Sequence, residues 1–558
     1  MSTQVDSVSL SIIANTYIQF QEFQQPQPQE IVPEVQVLQN ASSVSVTDNI
    51  LPVAQQVPPI SEADISEADI SKLQNILDFT KTFDFGVLKV KIADTPMTTQ
   101  PQLLYFKNDM SGSMQDPCSD GRTKMHHSNH TTSNILRLAA ESEGAEIWVQ
   151  VDAFDDKVDR IIPPQRVTKD NLAQLVNLIN KIAPRNCTNL ELALHDSKEQ
   201  IAQFKEQHPE FTVTHIFTTD GQATAGSQDD SYLAECVDPS HSNIIIGFGL
   251  DHSAPTLASL SSRKHAAYYF IDKIENGGLV FGEVIHSILY KAVTDITLST
   301  ENAEIYDYRT NQWAKTLQID SLAGDAEKTY HLRIPYNMQI YDVEVKISGK
   351  IPSQPNSRSS LLGTALCIPQ LINEEGAYDP PRLDLSKYIF RQRTQELLYE
   401  AQETQPGRSI KDLKKKMRDF LTIMKTYAEN HNLTDDSTIK SLNDDLVIVI
   451  RTLGTQYQAM YSVARSNSNG RECSYNVSEV PSAPRRRPGG LRRSIALNDY
   501  QDQAEDQEQQ QAEDEVVDEL QILSQGPLAR THTTPRQLTL MRSCSAGTQA
   551  ENLLDNEQ

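Results

Sequence analysis

QLLYFKNDMSGSM, residues 102–114, joins an apolar run to a cluster of oxygen-bearing side chains. Leu103-Leu104-Tyr105-Phe106 has the continuous hydrophobicity of a strand covered on both faces. Asp109, Ser111 and Ser113 follow at alternate positions around Gly112, and the glycine lets the chain turn tightly enough to aim all three at one point. Two later loops carry similar chemistry. Cys187-Thr188-Asn189 precedes an amphipathic helix, and Thr219-Asp220-Gly221 ends the apolar strand 213–218. Open α/β folds gather such loops at the carboxyl edge of a parallel sheet. Asp109, Ser111, Ser113, Thr188 and Asp220 are therefore expected to meet there, as two carboxylates and three hydroxyls. An all-oxygen set suits a hard dication such as Mg²⁺, with Mn²⁺ or Ca²⁺ as substitutes.

Apolar strands alternate with amphipathic helices from 102 to 293, which predicts a doubly wound, mainly parallel α/β sheet. From 294 to 350 the period drops to two. Tyr341, Val343, Val345 and Ile347 give the cleanest run, so an antiparallel β-sandwich-like module follows. Residues 72–100 hold the same pattern in Leu88, Val90 and Ile92. That leading strand is expected to join the β module, making the α/β domain an insertion in it. Residues 351–383 read as a linker. Residues 384–464 return to helical spacing and predict a small bundle, with Leu413, Met417, Phe420, Met424 and Tyr427 on one face as packing. The Gln/Pro-rich arm 1–71 and the charged tail 465–558 are expected to be disordered. The tail sets RRRPGGLRR (485–493) beside a run, 499–519, whose only charges are acidic.

The chain has 558 residues and a formal net charge of −25, so a broad nucleic-acid or anionic-membrane surface is not expected. Its six cysteines form no C-x-x-C pair, which argues against a zinc knuckle, a RING or a thioredoxin-type centre. No secretory signal and no long apolar span is visible, and the expectation is an intracellular, cytoplasmic protein.

The three motifs DMSGSM (109–114), CTNLELAL (187–194) and FTTDGQAT (217–224), in that order, resemble the von Willebrand factor type A domain. VDAFDDKVDRIIPPQRVTKDNL (151–172) is similar to the intervening part of that family. The resemblance covers 102–293. It implies a metal-ion-dependent adhesion site (MIDAS) with Asp109, Ser111 and Ser113 as its D-x-S-x-S, Thr188 as the distant threonine and Asp220 as the closing aspartate. It further implies a Mg²⁺ ion bound directly by the hydroxyls, and a partner protein whose exposed Asp or Glu fills an open position, without catalysis. Two departures stand out. Lys107-Asn108 interrupts the apolar strand, and Asn186-Cys187 stands where the family often has glycines; Asn tolerates a left-handed backbone. Some intracellular members continue into a β module and a helical segment, and RQRTQELLYEA (391–401) is similar to a region next to Hedgehog/intein-like domains. Self-cleavage is not expected, since an autoprocessing domain would need a nucleophilic Cys, His residues and extensive β structure, and Cys473 with a tail read as disordered follows here.

Two rival readings remain open. A Mg²⁺-dependent phosphatase would use Asp109 as nucleophile, but Ser111 stands where such enzymes place an acid/base aspartate. A scaffold with a vestigial metal site would make its contacts through the helices and tails. His126 and His130, at i and i+4 beside Cys118, have zinc-compatible spacing without a placed third ligand, and a solvated helix face accounts for them more simply.

Overall fold

A computed structural model describes residues 10–16, 76–77, 83–92, 100–118, 121–142, 144–221, 223–249, 252–271, 274–335, 344–352, 360–366, 386–404, 408–472, 534, 536–537 and 539–541. Its centre is β3 (Gln102–Asp109), all eight residues of which are buried. Leu104 and Phe106 point to one face and Leu103 and Tyr105 to the other, each into its own apolar cluster, as the two-residue period of a strand requires. β4 (Ile147–Phe154) and β6 (Thr212–Thr219) flank β3 in parallel. The sheet continues through β7 (Ser242–Phe248) and β8 (Ala266–Ile271), and β5 (Val158–Arg166) closes the far edge antiparallel. The order is β5-β4-β3-β6-β7-β8. The chain leaves β3 for β4 on one side and later returns to place β6 on the other. The crevice beyond the carboxyl ends of β3 and β6 is thus the switch point where such sheets bind ligands.

Helices α1 (Lys124–Glu141), α2 (Leu172–Ile179) and α6 (Ile274–Leu289) bury apolar side chains on one face. α3 (Leu190–Gln207), α4 (Asp230–Cys236) and α5 (Ala254–Ser261) cover the other. The mixed α/β class with a mainly parallel sheet, separate antiparallel sheets and a helical region is the class the sequence predicts.

The β module consists of two antiparallel sheets, one in the order β1 (Leu10–Thr16), β2 (Phe83–Ile92), β13 (Glu327–Pro335), β10 (Glu304–Asp307), β11 (Gln312–Ala314), the other in the order β12 (Thr316–Ala323), β9 (Lys291–Glu301), β14 (Glu344–Lys350), β15 (Ser360–Leu366). β2 (Phe83–Ile92) pairs along its length with β13 (Glu327–Pro335), so the strand before the α/β domain and the strands after it form one unit. β2 is covered twice. Leu88, Val90 and Ile92 enter the sandwich core with Ile296, Leu298, Leu332 and Ile347, while Phe85 and Val87 pack on the helical region.

Three element assignments differ from the sequence expectation. β1 (Leu10–Thr16) lies inside the arm read as disordered and pairs antiparallel with β2. β15 (Ser360–Leu366) lies inside the expected linker and pairs with β14 (Glu344–Lys350). In both cases a partner strand, distant for β1 and the preceding one for β15, supplies hydrogen bonds that local composition does not announce. The helical spacing of Leu442, Leu446, Val449, Leu453, Tyr457 and Met460 reads as one helix but is divided between two, α9 (Ser437–Thr452) and α10 (Gln458–Gly470), because Gly454 adopts φ +84° and turns the chain. α10 also runs past the expected boundary at 464, and its Met460, Tyr461 and Val463 pack against Leu257, Tyr268 and Phe270 of the α/β domain. With α7 (Ser386–Glu403) and α8 (Arg408–Asn430) these helices bury Leu413, Met417, Phe420, Met424 and Tyr427 together.

Within the region read as a disordered tail, Met541 is fully buried against α6. A Cβ at Gly282 would lie 2.5 Å from the Met541 backbone, so only glycine permits this approach. Arg536 lies 4.3 Å over the Tyr290 ring. Elsewhere in the tail the disorder expectation falls outside the described residues. Among the described residues no helix is long and apolar enough to cross a membrane.

An ionic clasp joins the α/β domain to the sandwich. The His265 ring contacts Asp320 Oδ1 at 2.5 Å and Asp295 Oδ1 at 3.1 Å. Burial pushes both carboxyls up, but for Asp320 the bond to His265 with the charge of Lys291, and for Asp295 the bond and charge of Lys350 with those of His265 and Lys264, together outweigh it and hold both below their ordinary value. A carboxyl depressed by folding contributes stability above its unfolded pKa of about 3.9, and that contribution is lost as pH falls through the lower folded value. Asp320→Asn is therefore expected to lower the melting temperature at pH 6. The gap from wild type should close as the pH drops below about 4. Melting curves at stepped pH check this, and a gap that widens in acid would refute the clasp.

Candidate metal centre

The centre is built from three loops stitched together by backbone hydrogen bonds. The loop after β3 is tied to the Thr188 loop by Gly112 N–H to Asn186 O (3.0 Å) and Arg185 N–H to Met110 O (2.7 Å). The loop after β6 is tied to it by Thr224 and Ala225 N–H, both donating to Thr188 O at 3.0 Å. The Thr224 hydroxyl in turn accepts from Thr188 N–H at 2.8 Å. Asn186 carries φ +53°, the left-handed conformation its loop requires, and a Cβ at Gly112 would crowd the Asn186 carbonyl at 3.2 Å.

Asp109 sits at the end of β3 and is fully buried. One carboxylate oxygen accepts from Ser111 N–H at 2.7 Å and the other from the Thr219 hydroxyl at 2.6 Å. The Ser111 and Ser113 hydroxyls lie 3.2 Å apart. Ser111, Thr188 and Asp220 are buried, whereas Ser113 is half-buried and Gly112 exposed, so the cluster opens to solvent beside those two residues. Burial, and then the charge of Asp220, push the Asp109 carboxyl well above its ordinary value, against the hydrogen bonds from Ser111 and Thr219. Two carboxylates confined without water repel, and a cation between them removes the cost.

The donor set fits a hard cation. Asp220 Oδ1 is buried and has no hydrogen-bond partner, an unusual state for an ionisable oxygen. Its other oxygen accepts from Lys124 Nζ at 3.2 Å. Among the described residues no three His, Cys, Asp or Glu side chains gather as a metal cluster, and this centre itself offers two carboxylates with hydroxyls. His130 instead meets the Asn134 amide at 2.9 Å and stacks on His126, and burial, then the neighbouring His126, lower it to about 4.

Lys107 is fully buried away from solvent and lies 2.5 Å from Asp196 and 3.5 Å from Asp152. These carboxylates absorb its charge, and burial lowers its pKa. Asn108 bonds Thr132 and Thr218 on the opposite side. The interruption of the apolar strand is thus a polar network inside the fold. Sequence reasoning missed Lys124, Thr219 and Thr224. Thr219 and Thr224 lie within quoted motifs, but nothing local marks them as partners of Asp109 and Thr188. The signal at Lys124 was a cation placed first in a helix, immediately after the Thr123 cap.

No family model matches the chain, and no curated protein matches it. Similar solved structures include a von Willebrand factor type A protein from Catenulispora acidiphila, 15% identical, covering 65% of this chain and 85% of that one with a TM-score of 0.44. The ArnB paralog VWA2 from Sulfolobus acidocaldarius is 16% identical, covering 71% of this chain and 95% of that one, also with a TM-score of 0.44. The PilB minor pilin from Streptococcus sanguinis is 12% identical over 36% of this chain and 76% of that one, with a TM-score of 0.28.

Proposed function

We propose that the chain is a non-enzymatic protein-interaction module that holds Mg²⁺, or Mn²⁺ or Ca²⁺ in its place, at Asp109, Ser111, Ser113, Thr188 and Asp220. A partner's Asp or Glu completes the site. The observation that carries this reading is the buried, unpartnered Oδ1 of Asp220, within electrostatic reach of a second buried carboxylate, Asp109, that itself bonds Ser111. When bound, the ion supplies positive charge between the carboxylates and an open position for an acidic oxygen. The protein's share is preorganisation. Thr219 and Ser111 N–H fix the Asp109 carboxylate, and the Thr188 loop is pinned from both sides. The phosphatase alternative is disfavoured because Asp109 is inaccessible and both its oxygens already accept hydrogen bonds.

Titration calorimetry of MgCl₂ into the EDTA-stripped full chain is expected to show saturable binding that Asp109→Ala abolishes. Equal binding by Asp109→Ala, or no heat from wild type, rejects the reading. One observation favours the rival scaffold with a vestigial site, namely that Lys124 already contacts Asp220. Silence in the same titration, with partner capture indifferent to EDTA, would select it.

A further inference from the structure

We infer that Lys124 is a resident counter-ion for this centre, an ammonium that neutralises Asp220 when no divalent ion is bound and that a divalent ion must displace from it. The inference rests on the metal reading given above. Lys124 is 1% exposed, and its Nζ reaches a carboxylate that is itself 2% exposed, at 3.2 Å. Such a lysine is costly in two ways. Burial strips its hydration. It also occupies the first position of α1, where the partial positive charge of the helix end disfavours a cation. The helix end is capped by Thr123, whose hydroxyl accepts from His126 N–H, so Lys124 is not the capping residue. Across the crevice the Asp220 carboxylate compensates the lysine's charge.

The consequence is an exchange of cations. A divalent ion near Asp220 gains attraction from two carboxylates and meets repulsion from an ammonium on the same carboxylate. Little water screens that repulsion at a buried site. Lys124 therefore sets the affinity for metal and guards the metal-free fold against the repulsion between Asp109 and Asp220. The centre becomes one that responds to divalent-ion concentration instead of staying saturated.

Lys124→Met, of similar length and uncharged, is the main test, with Lys124→Arg as the charge-preserving control. In MgCl₂ calorimetry on the EDTA-stripped full chain, Lys124→Met is expected to bind at least tenfold more tightly than wild type, and Lys124→Arg no more tightly. In EDTA, Lys124→Met should melt below wild type, and saturating Mg²⁺ should raise its melting temperature more than that of wild type. Should Lys124→Met fail to fold without metal, Lys124→Gln carries the same test, since it keeps a hydrogen-bond donor without the charge. Affinity equal to or weaker than wild type overturns the inference while leaving the metal site standing. Tighter binding with an unchanged metal-free melt also overturns it, because a distant charge would act that way. No heat from wild type or any variant overturns both the inference and the metal reading.

Discussion

Asp152→Ala is expected to lower the free energy of unfolding of the α/β domain by about 3–5 kcal/mol, the usual cost of breaking a buried ion pair from one side. Asp152 is fully buried beneath the central sheet and gathers donors from three strands. It accepts from Tyr105 Oη at 2.6 Å, Gln150 Nε2 at 3.1 Å and Arg160 Nε at 2.9 Å, and it lies 3.5 Å from Lys107 Nζ. Removing it takes an acceptor from two buried neutral groups and half the compensation from a buried ammonium. The reverse change, Lys107→Met, should cost less, because Asp152 keeps its other three donors and an apolar chain fills the space. Urea unfolding followed at Trp148, with Trp313 in the sandwich replaced by Phe, isolates this domain. Equal losses for the two variants would show that the network is not organised around Asp152.

The second large effect is expected at Asp220. Asp220→Ala should weaken Mg²⁺ binding by about 100-fold or more, beyond what removal of a supporting residue costs a metal site. Without metal the same variant should also be less stable, because it takes a carboxylate away from a buried ammonium. Asp220→Ala combined with Lys124→Met should recover much of that loss, since removing both charges leaves neither stranded. Recovery of stability without recovery of metal binding would separate the two duties of this carboxylate. Calorimetry and melting in EDTA read them independently. A double variant no more stable than the single one would show that the two side chains do not depend on each other.

The fold class was legible, and five candidate side chains could be nominated, because the determinants of both are local. Leu103–Phe106 is apolar without interruption, so the strand follows from burial on both faces. Asp109, Ser111 and Ser113 sit within one turn of chain, and Thr188 and Asp220 sit at the ends of elements whose periodicity is plain. A glycine or asparagine stands wherever these loops need an unusual backbone, at Gly221 (φ +72°) and at Asn186 (φ +53°). Chain order then suffices to bring them to one sheet edge, since parallel strands joined by crossover helices leave their carboxyl ends together.

What local sequence left undecided is whatever depends on a partner outside the segment itself. β15 looks like linker until β14 offers it hydrogen bonds, and β1 looks like unstructured arm until β2 does. Met541 is an ordinary tail residue until it meets the bare backbone at Gly282. Above all, Lys124 reads as a surface lysine opening a helix, and its charge acquires meaning only because folding removes it from water and sets it against Asp220. Pattern and spacing specify which side chains share a face. Desolvation and the pairing of remote charges arise only once the layers close, and so the five candidate residues can be nominated from the amino acids, while the ammonium of Lys124 resting against Asp220 emerges only in the folded chain.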